Sequence, residues 1–279
     1  MPKTAMPQPR YDMPVLFGPS PMPNETHVPR AEAIVIPFET SREAAARLLP
    51  RHFRVADRPI VSVSRIDYHG VDYLGGRGYR EVVISVAATF DGARDHIEAA
   101  FAPVLWVSEV AALIGGREYM GLAKLPAEMN DVQAQDGVRR FDCAEYGAPL
   151  ISGEVRGMTA LTGDKLQRIK QGASEVRTFG WKYIPSASGF PDADYPLVNS
   201  MRWDYERAWS GDGQVTFHDP DQQAAPLSSR VLAVLRELPI LSWRRAFVGE
   251  GRAVIDRVAT RRLEPARPVE QPGEYGVAM

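Results

Sequence analysis

The sequence predicts an α+β fold that is rich in β-strands and forms a single domain. Long segments alternate apolar, often β-branched, side chains with polar ones, as in Pro59–His69 and Tyr79–Phe90. This period of two residues is typical of half-buried strands. The helical patterns between the strands are short, and the sequence shows no internal repeat and no clear linker. Since strands do not alternate regularly with helices, the pattern favours one β-rich domain over a series of parallel βαβ units.

The individual elements follow from strand alternation, helix-capping residues and glycine-rich turns. A helix is predicted over Arg42–Leu49, because Thr40 or Ser41 can cap its start. Pro50 would end that helix. Two further helices are predicted over Ser108–Ile114 and Leu227–Leu238, and turns over Gly70–Gly78 and Ser210–Gly213. Strands or strand-like runs are predicted over Arg30–Phe38, Pro59–His69, Tyr79–Phe90, Ala99–Val107, Val138–Tyr146, Leu150–Leu161, Thr178–Pro185, Leu197–Trp209, Gln214–His218 and Arg252–Val258.

Two terminal segments lack the periodicity of the central part. Residues 1–29 are rich in proline, and we expect an extended arm that lies over another surface or another subunit. Residues 30–262 carry the regular patterns and form the predicted domain. Residues 263–279 contain three prolines and no core pattern, so we expect a mobile tail.

Composition and charge narrow the classes of function. The 279 residues carry a net charge of −2, which gives no reason to expect a nucleic acid or an anionic membrane as partner. No apolar run approaches the ~18 residues of a membrane helix, and no apolar segment follows the N-terminus as in a signal peptide. Cys143 is the single cysteine, and we expect a small buried strand residue there. The histidines show no metal-ligand spacing. A cytoplasmic protein without a bound metal is the default expectation.

One lysine, Lys124, lies in an almost wholly apolar part of the stretch Gly116–Pro126. An amine that attacks a carbonyl must be neutral, and a free lysine with a pKa of ~10.4 is neutral only to about 0.04% at pH 7. Burial in apolar surroundings disfavours the charged form of any lysine. The stretch therefore suggests a nucleophile that forms a Schiff base. The alternative is a lysine whose stem packs on apolar surface while its ammonium reaches water.

The same stretch resembles the acetoacetate decarboxylase family. Members of that family carry a Gly-Arg-Glu tripeptide, a short spacer and then the lysine that forms an imine; here Gly116-Arg117-Glu118 and Lys124 fit this spacing. In acetoacetate decarboxylase the lysine is activated by desolvation or by a neighbouring cation. The decarboxylases usually have a second lysine after the reactive one, where this chain has Leu125. The resemblance implies a mixed, barrel-like sheet that encloses a pocket, short helices outside it, no cofactor and a homo-oligomer.

The resemblance also implies roles for residues outside the lysine stretch. Arg30 falls on a family arginine that lines the site, and a guanidinium can bind a substrate carboxylate with two hydrogen bonds. Glu81 falls on a family glutamate and is expected to transfer protons. Ser64 takes the place of a second acidic residue of the decarboxylases. Arg117 and Glu118 are expected to hold the loop around Lys124, with Glu118 a secondary candidate for acid-base chemistry.

Three functional hypotheses follow. The first is a cofactor-independent carbon–carbon lyase that decarboxylates a 3-oxo acid such as acetoacetate through an imine and an enamine on Lys124. The second keeps the imine but changes the outcome to aldol chemistry, dehydration or hydration of an oxo acid, which Leu125 and Ser64 favour. The third is a small-molecule binding protein on the same scaffold, in which Lys124 does not react.

Overall fold

The computed structural model describes residues 10–265. The helices are α1 (Arg42–Ala46), α2 (Val110–Met120), α3 (Gly163–Ala173) and α4 (Ser229–Arg236). The strands are β1 (Glu25–Glu39), β2 (Phe53–Val55), β3 (Ile60–His69), β4 (Tyr79–Asp91), β5 (His96–Val107), β6 (Lys124–Pro126), β7 (Gln133–Gln135), β8 (Val138–Glu145), β9 (Ala148–Ala160), β10 (Val176–Ile184), β11 (Ala193–Phe217), β12 (Ser242–Trp243) and β13 (Arg245–Arg262).

The strands form one mixed sheet that curls until it closes on itself. The main path runs β10-β5-β4-β3-β1-β13-β11-β9-β8-β7, and an additional pairing of β10 with β11 closes a ring of seven strands. Neighbours in this ring are antiparallel except β10 and β5, which are parallel. The short strand β6 is added to β5 in the parallel direction. The β-rich, barrel-like fold predicted from the sequence is confirmed.

The alternation of side chains along β4 separates the main core from the lysine. Val82, Ile84 and Val86 are fully buried in the largest apolar cluster, which also contains leucines of α4. Tyr79 and Glu81 lie at the intervening positions and point to the opposite face. One strand therefore supplies both the core that holds the sheet together and the wall of a polar cavity.

The long strand β11 departs most from the prediction. The sequence predicts a turn at Ser210–Gly213, but β11 continues through these residues and pairs with both β9 and β13. The glycines are required by close packing instead of by a turn. A Cβ on Gly211 would lie 2.6 Å from Val155 Cγ1, and one on Gly213 would lie 2.8 Å from the Cβ of Ala246. Glycine in a strand interior often marks such a close approach.

The ends of the domain also differ from the prediction. Strand β1 begins at Glu25, so the last residues of the predicted arm belong to the sheet. Leu263, expected in a mobile tail, is fully buried and its N–H donates to the carbonyl of Pro196 at 2.9 Å. The remainder of the predicted tail, and residues 1–9 of the arm, lie outside the described residues. Helix α3 was not predicted, because its apolar face is limited to Leu166, Ile169 and Ala173 in an otherwise polar sequence, and of these only Ala173 is buried.

Two smaller expectations hold. Cys143 is buried in β8, and burial raises the pKa of its thiol. No helix within residues 10–265 has the length and apolar character needed to cross a bilayer.

Replacing Gly213 by alanine is expected to lower the free energy of unfolding by about 1–3 kcal/mol, because the new methyl group would overlap Ala246 and Ile36. Urea unfolding followed by tryptophan fluorescence measures this change. The matched control is Gly172→Ala in α3, where a Cβ would meet nothing within 4 Å. That substitution should be neutral or stabilise by up to about 1 kcal/mol, since alanine is the better helix former. Equal destabilisation by both changes would contradict the packing argument.

Candidate active site

Lys124 is positioned by the short strand that follows α2. It is the first residue of β6 and pairs with Leu105 of β5. Its backbone is fixed from both sides: its N–H donates to the Leu122 carbonyl at 2.8 Å, and its carbonyl accepts from Arg117 Nη1 at 3.1 Å. Arg117 lies in the last turn of α2 and not in the tight turn that the sequence suggests. Its side chain holds the lysine strand, as expected of a structural residue.

Glu81 reaches the same point from the other side of β5. It pairs with Val107, two residues from Leu105, so Glu81 and Lys124 flank β5 on one face of the sheet. Both residues are only 5% exposed, and Lys124 Nζ donates a hydrogen bond to Glu81 Oε1. Lys124 and Glu81 thus form a buried ion pair.

Glycine in α2 makes room for the lysine stem. A Cβ on Gly116 would lie 2.6 Å from both Cδ and Cε of Lys124, so the side chain lies directly against the helix backbone. The helix ends at Gly121, which adopts a left-handed conformation with φ of 59° and returns its N–H to the carbonyl of Gly116. The Gly-Arg-Glu tripeptide therefore supports the lysine through its backbone and its arginine.

The ion pair lies in a small cavity with tyrosines in its wall. The cavity has a volume of about 40 Å³, and its lining includes Tyr68, Tyr73, Tyr79 and Arg257. Burial raises the pKa of Tyr73 to about 12, and it raises the pKa values of Tyr68 and Tyr79 well above their usual value. Glu81 adds to each of these increases. All three phenols are therefore neutral at pH 7 and keep their O–H donors.

The segment before β1 covers this cavity. Met22 lines it, and a Cβ on Gly115 would lie 2.5 Å from Met22 Cε. The segment is tied to α2 through Asp12, whose Oδ2 accepts from Ser20 Oγ at 2.7 Å and from the Tyr119 hydroxyl at 3.2 Å. Residues of the segment 10–24 therefore lie against a surface of the same chain.

The structure brings together two of the five residues that the sequence nominates. Lys124 and Glu81 are in contact, whereas Ser64 on β3 and Glu118 on α2 are half-buried and lie outside the cavity lining. Arg30 is exposed, with its Nε 4.0 Å from Glu32 Oε1. A register shift between Val28 and Ala31 explains this, because a β-bulge there leaves two successive residues facing outward. The arrangement does not support substrate binding by Arg30.

The sequence analysis did not identify Arg257 as a cavity residue. Strand β13 alternates, and Ala253, Ile255 and Arg257 occupy its inward positions. The signal was therefore present as a charged residue at an inward position of a predicted strand. An arginine at such a position requires a partner or a function.

With this geometry in place, the comparisons with known proteins can be interpreted. The family model described as acetoacetate decarboxylase matches residues 12–258. The chain belongs to the acetoacetate decarboxylase family. This family contains enzymes, lyases among them. No curated protein matches the sequence.

Solved structures share the fold of this family at low sequence identity. One acetoacetate decarboxylase is 16% identical with a TM-score of 0.73, and the alignment covers 91% of this chain and 95% of that one. The acetoacetate decarboxylase from Legionella pneumophila is 17% identical with a TM-score of 0.68, covering 90% of each chain. The enduracididine biosynthesis enzyme MppR, complexed with the condensation product of pyruvate and imidazole 4-carboxaldehyde, is 16% identical with a TM-score of 0.69, covering 94% and 99%.

The buried pair predicts a strongly non-additive double-mutant cycle. Glu81→Gln alone removes the charge that compensates the ammonium and should lower the free energy of unfolding by about 3–5 kcal/mol at pH 7. The double variant Glu81→Gln with Lys124→Met removes both charges and should recover most of that loss. Urea unfolding of the four proteins gives the coupling energy. Additive effects of the two single substitutions would show that the pair is not a buried ionic interaction.

Proposed function

We propose that this member of the acetoacetate decarboxylase family is a Schiff-base-forming lyase that acts on a small oxo acid, with decarboxylation of a 3-oxo acid as its main reaction. The observation that supports this best is the contact of Lys124 with Glu81 inside a small, tyrosine-lined cavity. Lys124 would be the nucleophile and Glu81 the residue that moves protons.

The first step joins the amine to the ketone. Glu81 takes a proton from the Lys124 ammonium, to which it is already hydrogen-bonded, and this frees the nitrogen lone pair. The amine adds to the ketone carbon to give a carbinolamine. Glu81 returns the proton to the carbinolamine oxygen, water leaves, and a protonated imine remains. The neutral tyrosines around the pair add no charge to the cavity.

The second step uses the imine as an electron sink. In a 3-oxo acid the carboxylate is β to the imine carbon, so breaking the carbon–carbon bond sends its electron pair into the iminium group. Carbon dioxide leaves and an enamine remains. A proton from water added at the carbon that carried the carboxylate regenerates the iminium ion, and a water molecule then releases the ketone and the lysine. No step requires an external oxidant or a cofactor.

The alternative outcome keeps the imine and changes the fate of the enamine. An enamine formed from a 2-oxo acid such as pyruvate can attack an aldehyde, which gives aldol condensation instead of loss of carbon dioxide. The complex described for MppR contains such a condensation product. Leu125 and Ser64 stand where the decarboxylases carry a lysine and an acidic residue, and this favours the alternative. The cytoplasmic location and the homo-oligomer expected from the sequence stay predictions.

Borohydride trapping tests the imine directly. Reduction in the presence of acetoacetate or pyruvate should add the mass of the reduced substrate adduct to the Lys124 peptide, because this buried amine has a proton acceptor in contact with it. The chain has five lysines, so peptide mass spectrometry can score each one. The matched control is Lys182→Arg, which should retain full labelling, whereas Lys124→Arg should lose it. An unmodified Lys124 peptide would exclude both enzyme hypotheses and leave a binding protein.

Product analysis separates the two enzymatic outcomes. With acetoacetate, we expect carbon dioxide and acetone in equal amounts, well above the spontaneous rate and absent in Lys124→Arg. Release of carbon dioxide in a closed vessel and gas chromatography of acetone measure both products. If no carbon dioxide appears above the buffer control while pyruvate and an aldehyde condense, the alternative outcome replaces the decarboxylase.

A further inference from the structure

Arg257 of β13 lines the lysine cavity. It continues the inward alternation of Ala253 and Ile255, and a bulge in the strand begins at this residue. Asp256 pairs with Ser200 of β11 and Arg261 pairs with Val198, so four residues of β13 stand opposite Asn199 alone. Asp256 Oδ1 stabilises this bulge by accepting from the N–H groups of Val258 and Ala259, each at 3.0 Å.

The guanidinium of Arg257 is buried with only part of its hydrogen-bonding capacity used. The residue is 5% exposed. Its Nη1 donates to the Pro23 carbonyl at 2.9 Å and to Thr26 Oγ1 at 2.5 Å. Its Nε is buried and has no acceptor among the described residues, and Nη2 also has none there. Nε together with one Nη forms the edge of the fork that binds a carboxylate with two parallel hydrogen bonds.

The charge of Arg257 also has no partner. The other buried cations of the described chain each pair with a carboxylate: Arg65 with Asp67, and Lys124 with Glu81. Within residues 10–265, no carboxylate oxygen lies within 4 Å of the Arg257 guanidinium. The guanidinium instead makes a cation–π contact, in which Arg257 Cζ lies 5.4 Å from the ring centroid of Tyr73. The cavity therefore holds two cationic side chains and one carboxylate.

From the inward position of Arg257, the unused edge of its guanidinium and its unpaired charge, we infer that Arg257 binds the carboxylate of the substrate in the Lys124 cavity. This inference rests on the proposed function in one respect, namely that the ligand of the cavity is an oxo acid. A substrate carboxylate would complete the hydrogen bonds of Nε and Nη2 and balance the excess positive charge. Arg257 thereby takes the role that the sequence analysis gave to Arg30, whose guanidinium lies on the exterior.

The ligand side of this inference can be tested on the unmodified protein. 3-Hydroxybutyrate has a carboxylate but no ketone, so it cannot form an imine, and 3-hydroxybutyramide is its neutral analogue of the same shape. Calorimetry of the full chain should show at least about 10-fold tighter binding of the acid than of the amide, which corresponds to ~1.4 kcal/mol. An acid that binds no better than the amide, or does not bind, overturns the inference.

Variants assign the preference to one arginine. In Arg257→Gln the ratio of acid to amide affinity should fall to about one, because only the acid loses a charged partner. In Arg257→Lys it should be intermediate, since the charge remains without the fork. The matched control Arg30→Gln should keep the full ratio. Equal weakening of both ligands in Arg257→Gln would indicate a structural role and overturn the inference, as would loss of the ratio in Arg30→Gln. If Arg257→Gln does not fold, the wild-type ratio and Arg257→Lys decide.

Trapping distinguishes failure of the inference from failure of the proposed function. If acetoacetate and neutral acetone both label Lys124 but Arg257→Gln reduces the two equally, the lyase stands and the inference fails. If no ketone labels Lys124 while hydroxybutyrate binding still requires Arg257, the inference stands and the lyase fails.

Discussion

The site depends on one buried ion pair, Lys124 with Glu81. Removing two charges from water costs several kcal/mol for each ion, and only close contact between them offsets that cost. The sheet provides this contact because β4 and β6 lie on either side of β5, with their two side chains on the same face. The backbone of Gly116 gives the lysine stem its path. That contact depends on the closure of the ring, on the glycine in α2 and on the cap at Gly121.

The ion pair has two opposite effects on the reactivity of Lys124. A lysine in an ion pair is protonated and cannot attack a carbonyl. The group that stabilises the ammonium is, however, also positioned to accept its proton, so activation needs no rearrangement of the protein. The surrounding tyrosines are neutral at pH 7, so the lining adds only the charge of Arg257 to those of the pair. Burial strengthens the electrostatic interaction within the pair. Proton transfer from Lys124 leaves the nitrogen neutral beside a neutral carboxylic acid, which suits two groups that are buried in the fold.

Sequence patterns were sufficient where local chemistry determines the outcome and insufficient where packing does. The apolar run around Lys124 and the alternation of β3 and β4 are local, and the structure matches both. Gly211 and Gly213 lie in a segment with the composition of a turn. In the structure they allow β9 and β13 to pack closely against β11, and no local pattern in the sequence reveals this packing. Helix α3 gives only a weak signal because its apolar face is limited to Leu166, Ile169 and Ala173. Arg30 faces outward because a bulge in β1 interrupts the alternation there, whereas Arg257 keeps the inward position that the alternation of β13 gives it.

The segment before β1 forms part of the wall that sets the size of the cavity. A cavity of about 40 Å³ has room for about three water molecules, so binding of an oxo acid requires a displacement of the wall. Met22 belongs to this segment, which is held to α2 through the contact of Asp12 with Tyr119, and its flexible thioether can adopt several shapes against Gly115. On the proposed imine chemistry, we expect a small displacement to admit a single oxo acid, whose enamine is then protonated. We expect a larger displacement to admit an aldehyde as well, so that the same imine leads to carbon–carbon bond formation.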